Sequence, residues 1–267
     1  MAITIRDIQS FKTNDSRFVM LTAYDYQTAQ IFDEVGVPII FVGDTLGIFF
    51  MGYKTTIPVT MDAMIHHCQA VSRAVSNALL VGDIPFGADA TTVDGIRNAS
   101  RIVQEGGMHA VKLEGSKVEL VARLTEIGIP VMGHLGLTPQ SFNKLGGNKV
   151  QARSVTAAQA LLLEARSLEE AGAFALVLEA VPIEAARTVT DSLRIPTIGI
   201  GAGPHCDGQV LVSTEMLGIS SGPSPRFVKH YAQLRDTMGV ATRTFMSEVA
   251  NGEFPGKEYA YNWPLTS

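Results

Sequence analysis

One unit recurs along this chain: an acidic residue, a glycine, then a short apolar run that closes on polar side chains. It stands as DEVGVPIIFVGD ending at Asp44, QEGGMHAVKLEG ending at Gly115, TEIGIPVMGHLG ending at Gly136 and EEAGAFALVLEA ending at Ala180. The glycines are Gly36, Gly107, Gly128 and Gly172. Glycine just past a helical segment is a C-cap signal, because it takes the left-handed conformation without a Cβ penalty. The apolar run that follows is short and shows little polar alternation, the pattern of a strand covered on both faces. Each unit therefore reads as helix, glycine, buried parallel strand, polar tip.

Four further runs fit the strand half: FVMLTAYD (18–25), ALLVGDIPF (78–86), IPTIGIGAG (195–203) and GQVLV (208–212). Eight such units in a chain of 267 residues predict a (βα)8 barrel, which takes about 250 residues. The link between the last two strands is too short for a helix. The alternative is an open doubly wound sheet, but no strand leads through G-x-G-x-x-G into a helix. GIGAG (199–203) has the glycines without that spacing. It reads equally as a tight turn and as a wall of the site. Capping boxes are expected at Ser116 with Glu119 and at Thr156 with Gln159. Residues 60–75, 182–193 and about 225–246 read as helices. No shift in composition marks a second domain, so residues 1–267 are expected to form one catalytic domain.

The net charge of −5 comes without any Lys/Arg-rich run, which argues against nucleic acid or an anionic membrane as partner. Cys68 and Cys206 lie far apart in no metal-like spacing and are expected as free thiols in a reducing cytosol. The opening MAITIRDIQSFK lacks the basic and apolar regions of a signal peptide. No apolar stretch reaches the roughly 20 residues of a membrane helix. A cytoplasmic location is expected.

In such a barrel the chemistry sits at the C-terminal ends of the strands. The tips offered are Tyr24 and Asp25, Asp44 and Thr45, Asp83, Lys112 and Glu114, His134, and Glu179. Each has an ordinary reading by itself. Asp44 and Thr45 suit a helix N-cap or a turn, Lys112 a bridge to Glu114, and His134 a structural hydrogen bond. Asp44, Asp83, Glu114 and Glu179 together place four carboxylates at one mouth, with one lysine and one histidine. Such a cluster repels itself and calls for a cation. Oxygen ligands without cysteine select Mg²⁺ or a similar hard ion. A Mg²⁺ site of this kind suits a 2-oxo acid held through its carboxylate and keto oxygens, with a spare carboxylate to take the adjacent proton. The chemistry read from the residues is enolate formation, with no electrophile named.

The motifs FVGDTLG, PVTMDAMIHH, AVKLEG, IPVMGHLGLTPQS, LGGNKVQAR, AGAFALVLEAVP, IPTIGIGAG and CDGQVLV occur in this order. With them the chain resembles the 3-methyl-2-oxobutanoate (ketopantoate) hydroxymethyltransferase family from about residue 3 to 258. The resemblance implies a (βα)8 barrel that uses Mg²⁺ and forms cytoplasmic homo-oligomers, commonly decamers. It implies transfer of a hydroxymethyl group from 5,10-methylenetetrahydrofolate to 3-methyl-2-oxobutanoate through a Mg-stabilised enolate. The product is 2-dehydropantoate, for pantothenate and coenzyme A synthesis. By motif match, Asp44, Asp83 and Glu114 are the metal-site acids. Asp44, Thr45, Asp83 and Lys112 are the oxo-acid contacts, and Glu179 is the proton acceptor. Lys112 and His134 complete the catalytic group. The sequence departs from the family's usual pattern at Thr45, the bulky 48–52 segment, Ala180 and His205, none of which removes a group the mechanism needs.

Two rival readings stay in view. A related Mg²⁺ barrel lyase or mutase acting on oxo acids would need no folate. A barrel kept only for binding would let its polar tips decay, whereas every tip here is filled.

Overall fold

The computed structural model describes residues 2–261 and 263. Helix α1 (Ile5–Thr13) precedes strand β1 (Phe18–Thr22). Then come α2 (Tyr26–Glu34), β2 (Ile39–Val42), the short α3 (Leu46–Phe49), α4 (Met61–Ser72) and β3 (Leu79–Asp83). These are followed by α5 (Thr92–Gln104), β4 (Ala110–Glu114), α6 (Val118–Glu126) and β5 (Val131–Gly136). The short α7 (Phe142–Leu145), α8 (Val155–Glu170), β6 (Ala175–Glu179) and α9 (Ile183–Ser192) come next. Then come β7 (Thr197–Ile200), β8 (Gly208–Leu211), α10 (Ser213–Met216) and α11 (Leu234–Ala250), with a 3-10 turn (Lys257–Tyr259) after them. The eight strands are all parallel and close into a barrel, β1 pairing with both β2 and β8. This is the expected (βα)8 barrel, and no helix lies between β7 and β8.

The recurring glycine does what its position suggests. The Gly36 N–H bonds to Asp33 O at 3.1 Å and the Val37 N–H to Phe32 O at 3.0 Å, closing the end of α2. Gly128 and Ile129 close α6 in the same pattern, and Gly172 and Ala173 close α8. This doubled arrangement satisfies carbonyls that a helix end leaves orphaned, and it needs a left-handed residue at the turn. After α5 the turn takes one residue more, with Gly106 and Gly107 both in it.

Three local expectations are corrected. Helix α6 has Lys117 at its N-cap and no side-chain cap, so Ser116 and Glu119 form no capping box. Helix α8 is capped by Ser154, whose hydroxyl accepts from Ala157 N, two residues ahead of the expected Thr156. The tail is helical only from Leu234, not from about 225.

Inward-facing residues at alternate strand positions fill the barrel: Met20, Ile39, Phe41, Val81, Met132, Val177, Ile198 and Val210 form one buried cluster. Helix α1, unforeseen in the sequence, supplies Ile8 to that cluster, with Ile3, Ile5 and Phe11 packed against it. Two contacts of this N-terminal stretch fall just ahead of strands. Ile3 N bonds Asn77 O before β3, and Lys12 Nζ reaches Asp207 before β8 at 2.9 Å. Helix α1 therefore plugs the N-terminal end of the barrel and leaves the other end for chemistry. Cys68 and Cys206 are both free and buried.

The chain divides into two compact units, one running to Ser213 and including Pro225–Phe227, the other comprising Thr214–Ser224 and the chain from Val228. In the second unit the Leu234 and Arg235 N–H groups bond to Leu217 and Gly218 carbonyls, which sets the start of α11.

Candidate active site

Strand register decides which polar tips meet. Asp83 on β3 lies opposite Lys112 on β4, and Glu114 lies opposite His134 on β5. Residues two apart share a strand face, so both pairs point into the barrel, one above the other. Lys112 Nζ contacts both Asp83 oxygens at 2.9 Å and lies 5.1 Å from the centre of the Phe41 ring. The ordinary reading of Lys112, a bridge to Glu114, thus gives way to a cross-strand pair.

Glu114 turns to other partners. Its Oε1 lies 3.5 Å from His134 Nδ1, and its Oε2 accepts the Gln140 backbone N–H at 3.0 Å. His134 Nε2 faces Glu179 Oε2 at 3.2 Å. Neither ring nitrogen makes a well-directed hydrogen bond, so the attraction is chiefly one of charge. Burial and Lys112 push the imidazole's pKa down, but the two flanking carboxylates win and raise it to about 9. His134 is therefore held as a cation at neutral pH.

Asp44 follows β2. Its backbone N–H reaches Asp83 Oδ2 at 3.4 Å, and its own Oδ2 accepts from Gln140 Nε2 at 3.0 Å. Gln140 Nε2 also donates to Ile84 O at 2.8 Å. Sequence reasoning passed over Gln140, although it lies within the quoted run LGLTPQS. Its only signal is Pro139, which opens a short 3-10 turn there. Thr45 Oγ1 lies 2.8 Å from the Tyr24 hydroxyl. Of the ordinary readings of Asp44 and Thr45 the turn holds, with Gly47 N–H bonding Asp44 O at 3.0 Å, while neither side chain caps α3. Asp25 is the tip that caps, accepting from Thr28 N at 2.9 Å.

All seven predicted residues (Asp44, Thr45, Asp83, Lys112, Glu114, His134 and Glu179) line one chamber of about 50 Å³. Burial raises the Asp44 pKa well above the usual carboxylate range, reinforced by the Asp83 and Glu114 charges. Burial raises that of Asp83 too, against the opposing pull of Lys112. Burial works the same way on Glu114, but His134, Lys112 and the Gln140 N–H outweigh it and hold its pKa below the usual value. Asp83 is thus paired with Lys112, and Asp44 is the acid of the chamber that no cation contacts directly. Four carboxylates face two cations, and the deficit suits a divalent ion. No group of three or more His, Cys, Asp or Glu among the described residues forms a ready-made metal cage. Mg²⁺ does not need one, because it takes one or two carboxylates and fills its other positions with water and substrate. The donor set fits such an ion.

The sequence profile of the ketopantoate hydroxymethyltransferase family matches residues 2–257. The chain belongs to that family. Like its fellow ketopantoate hydroxymethyltransferases it is an enzyme, a transferase of hydroxymethyl groups. It is 51% identical over 262 residues to the 3-methyl-2-oxobutanoate hydroxymethyltransferase of Syntrophus aciditrophicus (strain SB), covering 97% of this chain and 96% of that one. Among solved structures it is similar to 2,3-dimethylmalate lyase, a PEP mutase/isocitrate lyase superfamily member. The TM-score is 0.60 at 16% identity, over 100% of this chain and 93% of that one. It is similar also to phosphonopyruvate hydrolase in complex with oxalate and Mg²⁺. There the TM-score is 0.61 at 13% identity, over 96% and 93% of the two chains. At such identities the likeness is one of fold.

Proposed function

We propose that this ketopantoate hydroxymethyltransferase moves a one-carbon unit from 5,10-methylenetetrahydrofolate to 3-methyl-2-oxobutanoate, giving 2-dehydropantoate for pantothenate and coenzyme A synthesis. The observation that carries the mechanism is Glu179. Its side chain is 16% exposed, and it joins the mouth of a chamber whose other acids are nearly buried. Asp44 and Asp83 would hold Mg²⁺, with Glu114 beside them. When bound, the ion acts as a Lewis acid on the oxo acid and makes its C3 proton more acidic. An oxalate-binding, Mg²⁺-containing neighbour of the same fold supports an oxo acid as occupant of this end of the barrel.

The protein's own groups then have distinct tasks. Lys112 and Thr45 contact the oxo acid, and Lys112 offsets negative charge developing on its oxygens. Glu179 takes the C3 proton. The His134 ring, 3.2 Å from the Glu179 carboxylate, holds it in place. C3 then bonds to the donor's methylene carbon as one of that carbon's two C–N bonds breaks, and the released nitrogen takes the proton that Glu179 removed. Water cleaves the other C–N bond, its hydroxyl staying on the methylene carbon and its proton going to the second folate nitrogen. The chain works as one catalytic domain and, in the cytoplasm, as a homo-oligomer, a decamer by family resemblance.

Glu179→Gln should abolish deuterium exchange at C3 of 3-methyl-2-oxobutanoate, followed by proton NMR, while the oxo acid still binds. Exchange at the normal rate would show that another group is the base. Product formed equally well without methylenetetrahydrofolate would favour the folate-independent lyase or mutase reading.

A further inference from the structure

A second cavity, of about 670 Å³, shares Glu179 with the inner chamber. The inner chamber, at about 50 Å³, has less than a tenth of that room. The second cavity falls within the roughly 300–1,000 Å³ of ordinary small-molecule sites.

Its walls combine two chemistries. Ile183 and Val150 line it while 48% and 52% exposed, and Phe227 lines it as well. Lys149 and Arg226 complete the rim, and neither has a carboxylate within ion-pair distance among the described residues. The glycines of GIGAG find their use here. Gly201 (φ +63°) and Gly203 (φ +81°) sit in the left-handed region. A Cβ on them would come within 2.6 Å of Phe227 and 2.7 Å of Ile183. Their bareness lets both apolar side chains close directly onto the end of β7. Ala180, the residue after Glu179, is left-handed at φ 46° and accepts the Gln151 N–H at 2.9 Å. That bond ties the stretch carrying Lys149 to the backbone beside the proposed base.

We propose that this cavity binds the tetrahydrofolate donor. The pteridine lies against Phe227 and Ile183, the glutamate carboxylates lie on Lys149 and Arg226, and the one-carbon unit is presented beside Glu179. This rests on the folate reading above.

The test is steady-state kinetics of the full-length Lys149→Ala/Arg226→Ala variant with Mg²⁺ present. KM for methylenetetrahydrofolate should rise about tenfold, as two charge-assisted contacts at a solvated rim are lost. C3 exchange on the oxo acid alone should keep its wild-type rate, which also shows that the variant is folded. With a methylene-carrying tetrahydropterin that lacks the glutamate tail, variant and wild type should have the same KM. An unchanged KM for the full donor, or an equal rise with the tailless one, overturns the assignment of the cations. A wild-type enzyme that makes product no faster with methylenetetrahydrofolate than without it overturns the donor reading itself.

Discussion

At the scale of single residues, the site is a set of cross-strand pairs rather than a row of independent tips. Lys112 and Asp83, with side chains 5% and 1% exposed, form a buried ion pair. Such a pair contributes little net stability, but breaking it strands a charge and costs about 3–5 kcal/mol. Lys112→Met should therefore lower both urea stability and turnover. Adding Asp83→Asn should recover most of the lost stability while turnover stays abolished, because the second change removes the stranded charge and also a metal-site acid. If stability does not recover, the pair is not what holds these strands' tips together. Gln140 shows where reading by residue type stops. A neutral amide in a loop carries no chemical signature, yet through its N–H and side chain it connects Glu114, Asp44 and Ile84. Only the folded chain brings the loop after β5 over the end of β2.

At the scale of elements, the helix–glycine–strand unit was legible because its causes are local. The turn closing a helix and the apolar run after it lie within a dozen residues of sequence. Register was not legible. Nothing near Lys112 in sequence says that Asp83, and not Glu114, will face it, and sheet pairing settles that. The misplaced caps before α6 and α8 have the same origin, since several Ser and Thr residues suit the role and packing of the helix face picks one. Asp33 shows an element junction at work. From α2 its carboxylate accepts the Ser76, Asn77 and Ala78 backbone N–H groups at 2.8–2.9 Å, and the Asn77 side-chain amide at 3.0 Å, fixing the entry to β3. Burial would raise its pKa, but these donors outweigh burial and hold it below the ordinary 3.8. A depressed folded-state pKa contributes stability that is present above the unfolded value and lost as pH falls through the folded one. Asp33→Asn should cost about 1–3 kcal/mol at pH 7. The gap between variant and wild type should narrow below about pH 4, in urea titrations at both pH values. A gap independent of pH would mean that shape, not charge, matters at this junction.

At the scale of the whole molecule, no helix among the described residues is long and apolar enough to cross a membrane. Helix α11 has no buried residue, while Met238, Phe245 and Val249 stand 58%, 53% and 49% exposed. Spaced by seven and four, they share a helix face, and an uncovered apolar face of this kind marks an interaction surface. In the proposed homo-oligomer that face is the one expected to meet another copy. Phe245→Asp should then reduce the assembly size in sedimentation velocity at micromolar concentration, and an unchanged size would place the contact elsewhere. The sequence offered the apolar composition that subunit burial needs but not the surface, because a lone helix of mixed polarity reads the same whether it packs inward or outward.

The plug formed by α1 has a practical consequence. Because Ile8 closes one end of the barrel and the acids open at the other, a tether attached ahead of Ile3 leads away from the catalytic mouth. Enzyme coupled to a bead through that end would present its mouth to the bulk solution, with the support behind it. Immobilisation should then leave turnover of a bulky co-substrate nearly as fast as in free solution.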